Sequence, residues 1–182
     1  MRKIMICVIG KYDEKGEHQL AMCQALGRLI AQSGAILIVG GGGGIMGAVA
    51  KGAREAGGIT LGFLAETNPD AESEYLDIAI PTGVGYEIRS ALAIRASDII
   101  IMVGGCNGTL GELSMAYLHH KSIIVLSGSL GWADRIASVL IDGKYLDERK
   151  NTPIQFVDTP EECMQRIVLQ ANNADLKKAK LV

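Results

Sequence analysis

No charge of one sign dominates this sequence, and that absence argues against two classes of partner. The 182 residues include 18 lysines and arginines against 20 aspartates and glutamates, which gives a net charge of −2. Proteins that bind nucleic acids or anionic membranes by electrostatic attraction usually present an excess of basic residues. We therefore expect neither nucleic acid nor a membrane surface as a partner.

Closely spaced cysteines and long apolar runs are also absent. Cys7, Cys23, Cys106 and Cys163 are scattered, and no two of them form a Cys-x-x-Cys pair. This pattern is typical of reduced thiols in the cytoplasm and offers no paired ligands for zinc. No apolar run is long enough to span a bilayer, and residues 1–9 fit a first strand better than a signal peptide. We expect a cytoplasmic protein without a metal site.

Short aliphatic runs alternate with longer segments of helical spacing along the whole chain. The continuous apolar runs are typical of strands covered on both faces. The predicted strands are 4–9, 35–39, 60–64, 77–80, 99–103, 122–126 and 154–157. The predicted helices are 18–32, 45–56, 86–96, 109–120, 132–141 and 160–171. This alternation predicts an α/β fold with a single doubly wound, mostly parallel Rossmann-like sheet of about seven strands and helices on both faces. We expect one domain over residues 1–174 and a frayed C-terminal tail over 175–182.

A run of five glycines that begins at Gly40 joins the second predicted strand to a helix. In doubly wound sheets, ligands bind outside the carboxyl ends of the strands. Glycine allows close backbone approach, and a helix start offers unpaired amides, so the run predicts a phosphate site, with a loose turn as the alternative. The candidate ligand contacts here are Gly41, Gly42, Gly43, Gly44 and Met46, with Gly10 and Lys11 from the loop after the first strand.

The same glycine run leaves a second interpretation open. No Gly-Lys-Ser/Thr follows it, so it is not a Walker loop. Gly42, Gly44 and Gly47 do fit the dinucleotide fingerprint, and Glu66 lies near the end of the next predicted strand. The fingerprint normally follows the first strand of its βαβ unit, however, and this run follows the second. An NAD(P)-dependent oxidoreductase is therefore kept as an alternative function.

A second glycine-rich loop follows the strand at 99–103. Its amides can also face an anion, and Thr109 can either cap the next helix or donate to a phosphate oxygen. Glu112 has the spacing of a capping box with Thr109, and it is equally a candidate for chemistry at the site. The candidate ligand contacts in this loop are Gly104, Gly105, Cys106, Asn107, Gly108 and Thr109.

Arg89 stands in the first turns of the helix predicted over 86–96. A cation at that position opposes the helix dipole, so its presence needs a reason. An anionic ligand would supply one, and a solvated arginine is the alternative.

These residues resemble the signature of the Lonely Guy-related nucleotide-binding proteins, which are sometimes mislabelled lysine decarboxylases. The family motif is Pro-Gly-Gly-x-Gly-Thr-x-x-Glu, and it aligns without a gap from Gly104 to Glu112, with Arg89 at the position of an upstream Arg-Lys pair. In the family's enzymes, the residues matching Arg89 and Glu112 serve catalysis. They cleave the N-glycosidic bond of a nucleoside 5′-monophosphate to release the base and ribose 5-phosphate, while the glycine loop and the threonine hold the phosphate.

The sequence departs from that motif at three positions. Gly104 replaces the proline, Cys106 replaces the second glycine, and Ser90 replaces the lysine after the arginine. The departures bring the chain closest to the branch of molybdenum-cofactor carrier proteins, which bind the pterin phosphate of that cofactor. The resemblance then implies binding, carriage or storage of a phosphorylated nucleotide or molybdopterin-type ligand, with the phosphoribohydrolase as the alternative. It implies no required cofactor beyond that cargo, and a homodimer or homotetramer with the two motif-bearing helices at the interface.

Overall fold

The computed structural model describes residues 2–68 and 74–179, with side chains as far as residue 170. Its strands are β1 (Met5–Gly10), β2 (Ile36–Val39), β3 (Ile59–Leu64), β4 (Ile78–Pro81), β5 (Ile99–Val103), β6 (Ser122–Leu126) and β7 (Ile154–Val157). Its helices are α1 (Glu17–Gln32), α2 (Gly44–Glu55), α3 (Gly85–Ala96), α4 (Asn107–Leu118), α5 (Gly131–Arg135) and α6 (Pro160–Ala179). All seven strands pair in parallel in the order β4-β3-β2-β1-β5-β6-β7, which confirms the predicted doubly wound α/β sheet.

Two hydrophobic clusters cover the two faces of the sheet, and β5 contributes to both. Ile99, Ile101 and Val103 pack with α1, α2 and α6, whereas Ile100 and Met102 pack with α3, α4 and α5. Successive side chains of a strand point to opposite faces, so a strand buried on both sides must be apolar throughout. This requirement explains the unbroken aliphatic run in the sequence.

The strand order reverses between β1 and β5, where the chain leaves one half of the sheet for the other. The register pairs Gly10 with Val103, so the loops after these two strands begin side by side. The loop after β2 begins beside them, because β2 is the other neighbour of β1. Such a switch point opens a crevice at the carboxyl edge of a sheet, where ligands bind.

Helices α4, α5 and α6 differ from their predicted ranges by more than one residue. Helix α4 begins at Asn107 rather than at 109, because positive-φ glycines end the preceding loop early and Cys106 serves as N-cap. The helix predicted over 132–141 is wrong: α5 stops at Arg135, a 3-10 turn follows, and the amide of Ile141 donates to the carbonyl of Tyr145 at 2.8 Å.

Helix α6 continues to Ala179, beyond both its predicted end at 171 and the predicted start of the tail at 175. Residues 180–182 lie outside the described residues. The division into a domain over 1–174 and a frayed tail therefore stays a prediction.

Candidate functional site

A cavity of about 540 Å³ opens beside the point where the strand order reverses. Its walls come from the loop after β1 and from the first turns of α2, α3 and α4. Its volume is within the usual range of small-molecule sites. The predicted site residues that line it are Gly10, Lys11, Met46, Arg89, Cys106, Asn107, Gly108, Thr109 and Glu112. Residues from four separate segments of the chain thus meet at one place.

The first turn of α4 borders this cavity with unpaired backbone amides. Its N-cap, Cys106, has an extended backbone and makes no side-chain capping bond. The amide of Leu110 is the first to bond within the helix, to the Cys106 carbonyl at 3.1 Å. Among the described residues, no hydrogen bond uses the amides of Asn107, Gly108 or Thr109, all of which line the cavity. Free amides at the positive end of a helix dipole favour an anion.

Arg89 brings a buried positive charge to the same cavity. Its side chain is only 6% exposed, and its guanidinium lies 5.7 Å from the centroid of the Tyr86 ring. Its Nε has no hydrogen-bond partner, and no carboxylate of the described chain forms an ion pair with it. An unpaired buried cation is unfavourable, so an anion supplied from outside the chain would stabilise it. The interpretation of Arg89 as a solvated arginine is therefore wrong.

The capping box proposed for Thr109 and Glu112 is also wrong. Thr109 is the third residue of α4 rather than its N-cap, and its side chain is buried against Gly105. Glu112 instead accepts a hydrogen bond from the Ser90 Oγ of α3, at 2.8 Å from its Oε1. The carboxylate thus belongs to the cavity wall and links the two helices that frame it.

Burial raises the pKa of the Glu112 carboxyl above its ordinary value, because a low-polarity environment disfavours the charged form. The hydrogen bond from Ser90 and the positive charge of Arg89 act in the opposite direction and are weaker. Part of the Glu112 population is therefore protonated at a higher pH than an exposed glutamate would be. In that form the carboxyl can donate a hydrogen bond as well as accept one.

Gly104 and Gly105 lie behind the cavity wall and support it. The amide of Gly104 donates to Ser129 Oγ at 2.7 Å, and the carbonyls of Gly104 and Gly105 accept bonds from the amides of Ala133 and Trp132, each at 3.0 Å. Both glycines have positive φ, 59° and 100°, a region that residues with a side chain rarely adopt. Ser129 was not among the predicted site residues. Its position as a polar residue between Gly128 and Gly131, at the same edge of the sheet, could have indicated it.

The five-glycine run lies beneath the loop after β1 rather than in the open. A Cβ at Gly43 would overlap the ring of Tyr12, and one at Gly44 would overlap the carbonyls of Lys11 and Tyr12. The amide of Ile45 donates to the Lys11 carbonyl at 3.1 Å. None of the five glycines lines the cavity, neither Gly40 nor the predicted contacts Gly41, Gly42, Gly43 and Gly44. A pyrophosphate that approached this run as in a dinucleotide site would have to displace Tyr12.

Lys11 contributes a second positive charge, which acidic neighbours partly neutralise. Its Nζ lies 3.7 Å from Asp13 Oδ1 and 3.8 Å from Glu14 Oε2, and its side chain is 35% exposed. Partly exposed ion pairs of this kind are weak. Lys11 can therefore exchange these contacts for a ligand at small cost.

Within residues 2–68 and 74–179, no group of His, Cys, Asp or Glu side chains has the arrangement of a metal site. The same part of the chain contains no helix with the length and apolar character needed to cross a membrane. All four cysteines are free thiols, of which Cys7, Cys23 and Cys163 are buried and Cys106 is exposed at the cavity.

Comparison with known proteins yields a family model that matches most of the chain and a relative with a named enzymatic activity. Residues 3–164 match the model of the SLOG cluster4 family. A cytokinin riboside 5′-monophosphate phosphoribohydrolase of Mycobacterium marinum is 30% identical over 161 residues, which are 80% of this chain and 83% of that protein.

Two similar solved structures are of proteins that bind or carry the molybdenum cofactor. A molybdenum cofactor binding protein of Rippkaea orientalis has a TM-score of 0.80 and 30% identity, over 94% of this chain and 99% of that one. The molybdenum cofactor carrier protein of Chlamydomonas reinhardtii has a TM-score of 0.76 and 30% identity, over 92% of this chain and 98% of that one. A hydrolase and two cofactor-binding proteins thus resemble this chain over most of its length.

Proposed function

The chain belongs to the SLOG cluster4 family, a Lonely Guy-like family, and from this premise we propose that it binds a phosphorylated nucleotide or molybdopterin-type ligand in the cavity beside β1 and β5. Its role is to carry or store that ligand rather than to cleave it. The molybdenum cofactor, where it is the ligand, is cargo and not a catalytic group of this protein.

One observation carries the proposal: Arg89, whose buried Nε has no hydrogen-bond partner among the described residues, lines the same cavity as the free amides at the start of α4. Each feature alone favours an anion, and together they surround one with charge and hydrogen-bond donors from two helices. A phosphate group has the negative charge and the several acceptor oxygens that such a site can satisfy. The similarity to two cofactor-binding proteins supports a pterin phosphate as the bound group.

The residue after Arg89 favours carriage over hydrolysis. Enzymes of the related hydrolase pattern have a lysine there, whereas this chain has Ser90, whose hydroxyl holds the Glu112 carboxylate. A neutral serine cannot supply the positive charge that a lysine would offer to the departing base, which is the leaving group when the N-glycosidic bond breaks. The site keeps the means to bind a phosphate and loses one means of stabilising a transition state.

A phosphoribohydrolase that acts on nucleoside 5′-monophosphates is the second candidate. Glu112 lies in the cavity with a raised pKa, a property of carboxyls that act as general acids or bases. The mycobacterial relative that bears this activity in its name adds support. A dinucleotide-dependent oxidoreductase has less support, because Tyr12 lies against Gly43 and against Gly44, one of the three glycines of its fingerprint.

We further propose a homodimer or homotetramer that works in the cytoplasm. Val84, Ile88 and Leu92 near and along α3 are exposed, and Leu118 at the end of α4 is exposed as well. Apolar side chains in such numbers on adjacent helices are typical of a buried interface. The free thiol of Cys106 fits a reducing compartment.

Ligand binding and cleavage can be tested in one series. The purified protein is titrated calorimetrically with AMP, molybdopterin and NAD, and the same mixtures are assayed for free base and ribose 5-phosphate. We expect molybdopterin or AMP to bind without release of product, and binding to weaken in Arg89→Met. Absence of binding by every phosphorylated compound would contradict the proposal. Release of base that disappears in Glu112→Gln would replace it with the hydrolase.

A further inference from the structure

Leu130 has a backbone conformation that residues with a side chain rarely adopt. Its φ is 69° and its ψ is −174°, a region populated almost exclusively by glycine. Its side chain is 57% exposed, so burial of the leucine offsets little of the cost. Strained backbone persists only where surrounding contacts hold it. The contacts that hold Leu130 are therefore informative about the loop that joins β6 to α5.

The carboxylate of Asp134 supplies those contacts. From the first turn of α5, its Oδ2 accepts a hydrogen bond from the amide of Leu130 at 2.9 Å, and its Oδ1 accepts one from the amide of Gly128 at 2.7 Å. Hydrogen bonds to a charged acceptor are stronger than those between neutral groups. Both carboxylate oxygens are thus used within this loop, one on each side of Ser129 in the sequence.

Ser129 connects this loop to the loop after β5. Its side chain is buried, and its Oγ donates to the carbonyl of Leu126 while it accepts from the amide of Gly104 at 2.7 Å. The two backbones are equally close. A Cβ at Gly104 would lie 2.9 Å from the Ser129 carbonyl oxygen. One at Gly131 would lie 2.3 Å from the Gly105 carbonyl oxygen, so neither loop has space to shift alone.

The loop after β5 in turn determines where α4 begins. Gly105 packs directly against the side chain of Thr109 in the first turn of that helix, since a Cβ at Gly105 would overlap it. The amides of Asn107, Gly108 and Thr109, which have no hydrogen-bond partner in the described part of the chain, follow Gly105 closely and line the cavity. A shift of Gly104 or Gly105 therefore moves these amides.

We propose that Asp134 is a positioning residue for the anion-binding turn at the start of α4. It holds Leu130 in its strained backbone, Leu130 sets Ser129 against Gly104, and the bonded loop fixes the direction of the free amides. Asp134 itself does not line the cavity, so it acts through the backbone rather than on the ligand. This role rests on the phosphate site proposed above.

Asp134→Ala tests the role, because it removes both acceptor oxygens and leaves the strained backbone free to relax. AMP or molybdopterin, whichever the wild type binds, is titrated calorimetrically, and hydrogen exchange of the Gly104 amide is followed by NMR without ligand. We expect ligand affinity to fall about tenfold. Exchange at Gly104 becomes about tenfold faster, as its bond to Ser129 opens more often. Loss of a carboxylate would by charge alone favour an anion, so the expected loss of affinity has the opposite sign.

Leu130→Gly in the Asp134→Ala background separates positioning from a general loss of stability. Glycine adopts the same φ and ψ without strain, so we expect both quantities to return to within about threefold of the wild type although the carboxylate stays absent. Asp158→Ala is the matched control. Asp158 is exposed just after β7, at the same edge of the sheet, and its carboxylate accepts no hydrogen bond from the described residues. This variant keeps the wild-type affinity and exchange rate.

Unchanged ligand affinity in Asp134→Ala overturns the proposal. So does a loss of affinity without faster exchange at Gly104, because Asp134 would then act by a route other than Ser129. Failure of Leu130→Gly to restore both quantities overturns it as well, since strain would not be what the carboxylate opposes. A wild type that binds neither AMP nor molybdopterin contradicts the phosphate site itself, and exchange at Gly104 then still decides whether Asp134 holds the loop.

Discussion

The guanidinium of Arg89 lies against Gly40, in the space that a side chain at position 40 would fill. Gly40 directly follows β2, and Arg89 lies in the second turn of α3, which packs on the same face of the sheet as α4 and α5. The missing side chain lets the arginine pass over the end of β2 and still reach the cavity. A glycine at position 40 therefore makes room for the charged side chain of Arg89.

Gly40→Ala is expected to weaken phosphate binding without a direct contact to the ligand. The new methyl group would overlap the Nη1 of Arg89 and force the guanidinium to move. The loss of one charge-assisted hydrogen bond corresponds to about a 10- to 100-fold loss of affinity. Calorimetric titration with the ligand that binds best to the wild type measures it.

An Arg89→Ala background provides the control for this substitution. With the guanidinium gone, Gly40→Ala has nothing to displace and should change affinity by less than about twofold. Equal losses in both backgrounds would show that Gly40 acts independently of Arg89.

Arg89→Met is expected to reduce ligand affinity while it leaves the folded state about as stable as before. Methionine keeps much of the buried volume and removes a charge that forms no ion pair with any of the described residues. We expect a change in unfolding free energy within about 1 kcal/mol and an affinity loss of about 10- to 100-fold. Urea unfolding and calorimetry measure the two quantities. A severe loss of stability would mean that the guanidinium has a structural role.

Glu112→Gln is expected to stabilise the unliganded protein at neutral pH. Because burial raises the pKa of Glu112 above the ordinary 4.5, the folded state keeps its proton over a pH range in which the unfolded state has lost it. The wild type therefore loses stability as the pH rises from 4.5 through the raised pKa, and glutamine removes that loss. Urea unfolding at several pH values should show a difference that grows with pH and vanishes below 4.5. A difference independent of pH would contradict the assignment.

Cys106 is expected to be the thiol that reacts with iodoacetamide in the native protein. Burial raises the pKa of the thiols of Cys7, Cys23 and Cys163 to about 12, which leaves them protonated and shielded. Cys106 is exposed at the cavity, so a bound ligand should slow its modification. Peptide mass spectrometry after labelling, with and without ligand, measures both effects. Labelling of Cys106 at the same rate with saturating ligand would place the ligand elsewhere.

The strands, and their burial on both faces, were predictable from the local pattern of apolar residues. The bounds of β5, β6 and β7 agree with the prediction residue for residue, since strands covered on both faces must be uniformly apolar. The helix after Trp132 was not predictable in the same way. Residues 132–141 do have the apolar spacing of a helix. The helix ends early, however, and the amide of Ile141 donates to the carbonyl of Tyr145, a contact that the local sequence pattern does not reveal.

The candidate site was likewise predictable from the sequence only in part. The motif from Gly104 to Glu112, with Arg89 upstream, was sufficient for the family and for the loops that meet at the sheet edge, because glycines after apolar strands mark the carboxyl ends. Which glycines face open space was decided by the tertiary structure. Gly43 and Gly44 lie under Tyr12, whereas Gly108 and Gly111 border the cavity.

By itself, the sequence determined the class of fold, the edge of the sheet at which the candidate site lies, and the family. Tertiary structure alone decided that the buried Nε of Arg89 has no hydrogen-bond partner among the described residues, that Ser90 holds Glu112, and that Gly40 makes room for Arg89. The reason is physical. Apolar periodicity and glycine placement report the environment of a residue along its own segment, whereas these three relationships join segments far apart in the chain. Their distances follow from the register of β1, β2 and β5 and from the way α3 and α4 pack across it.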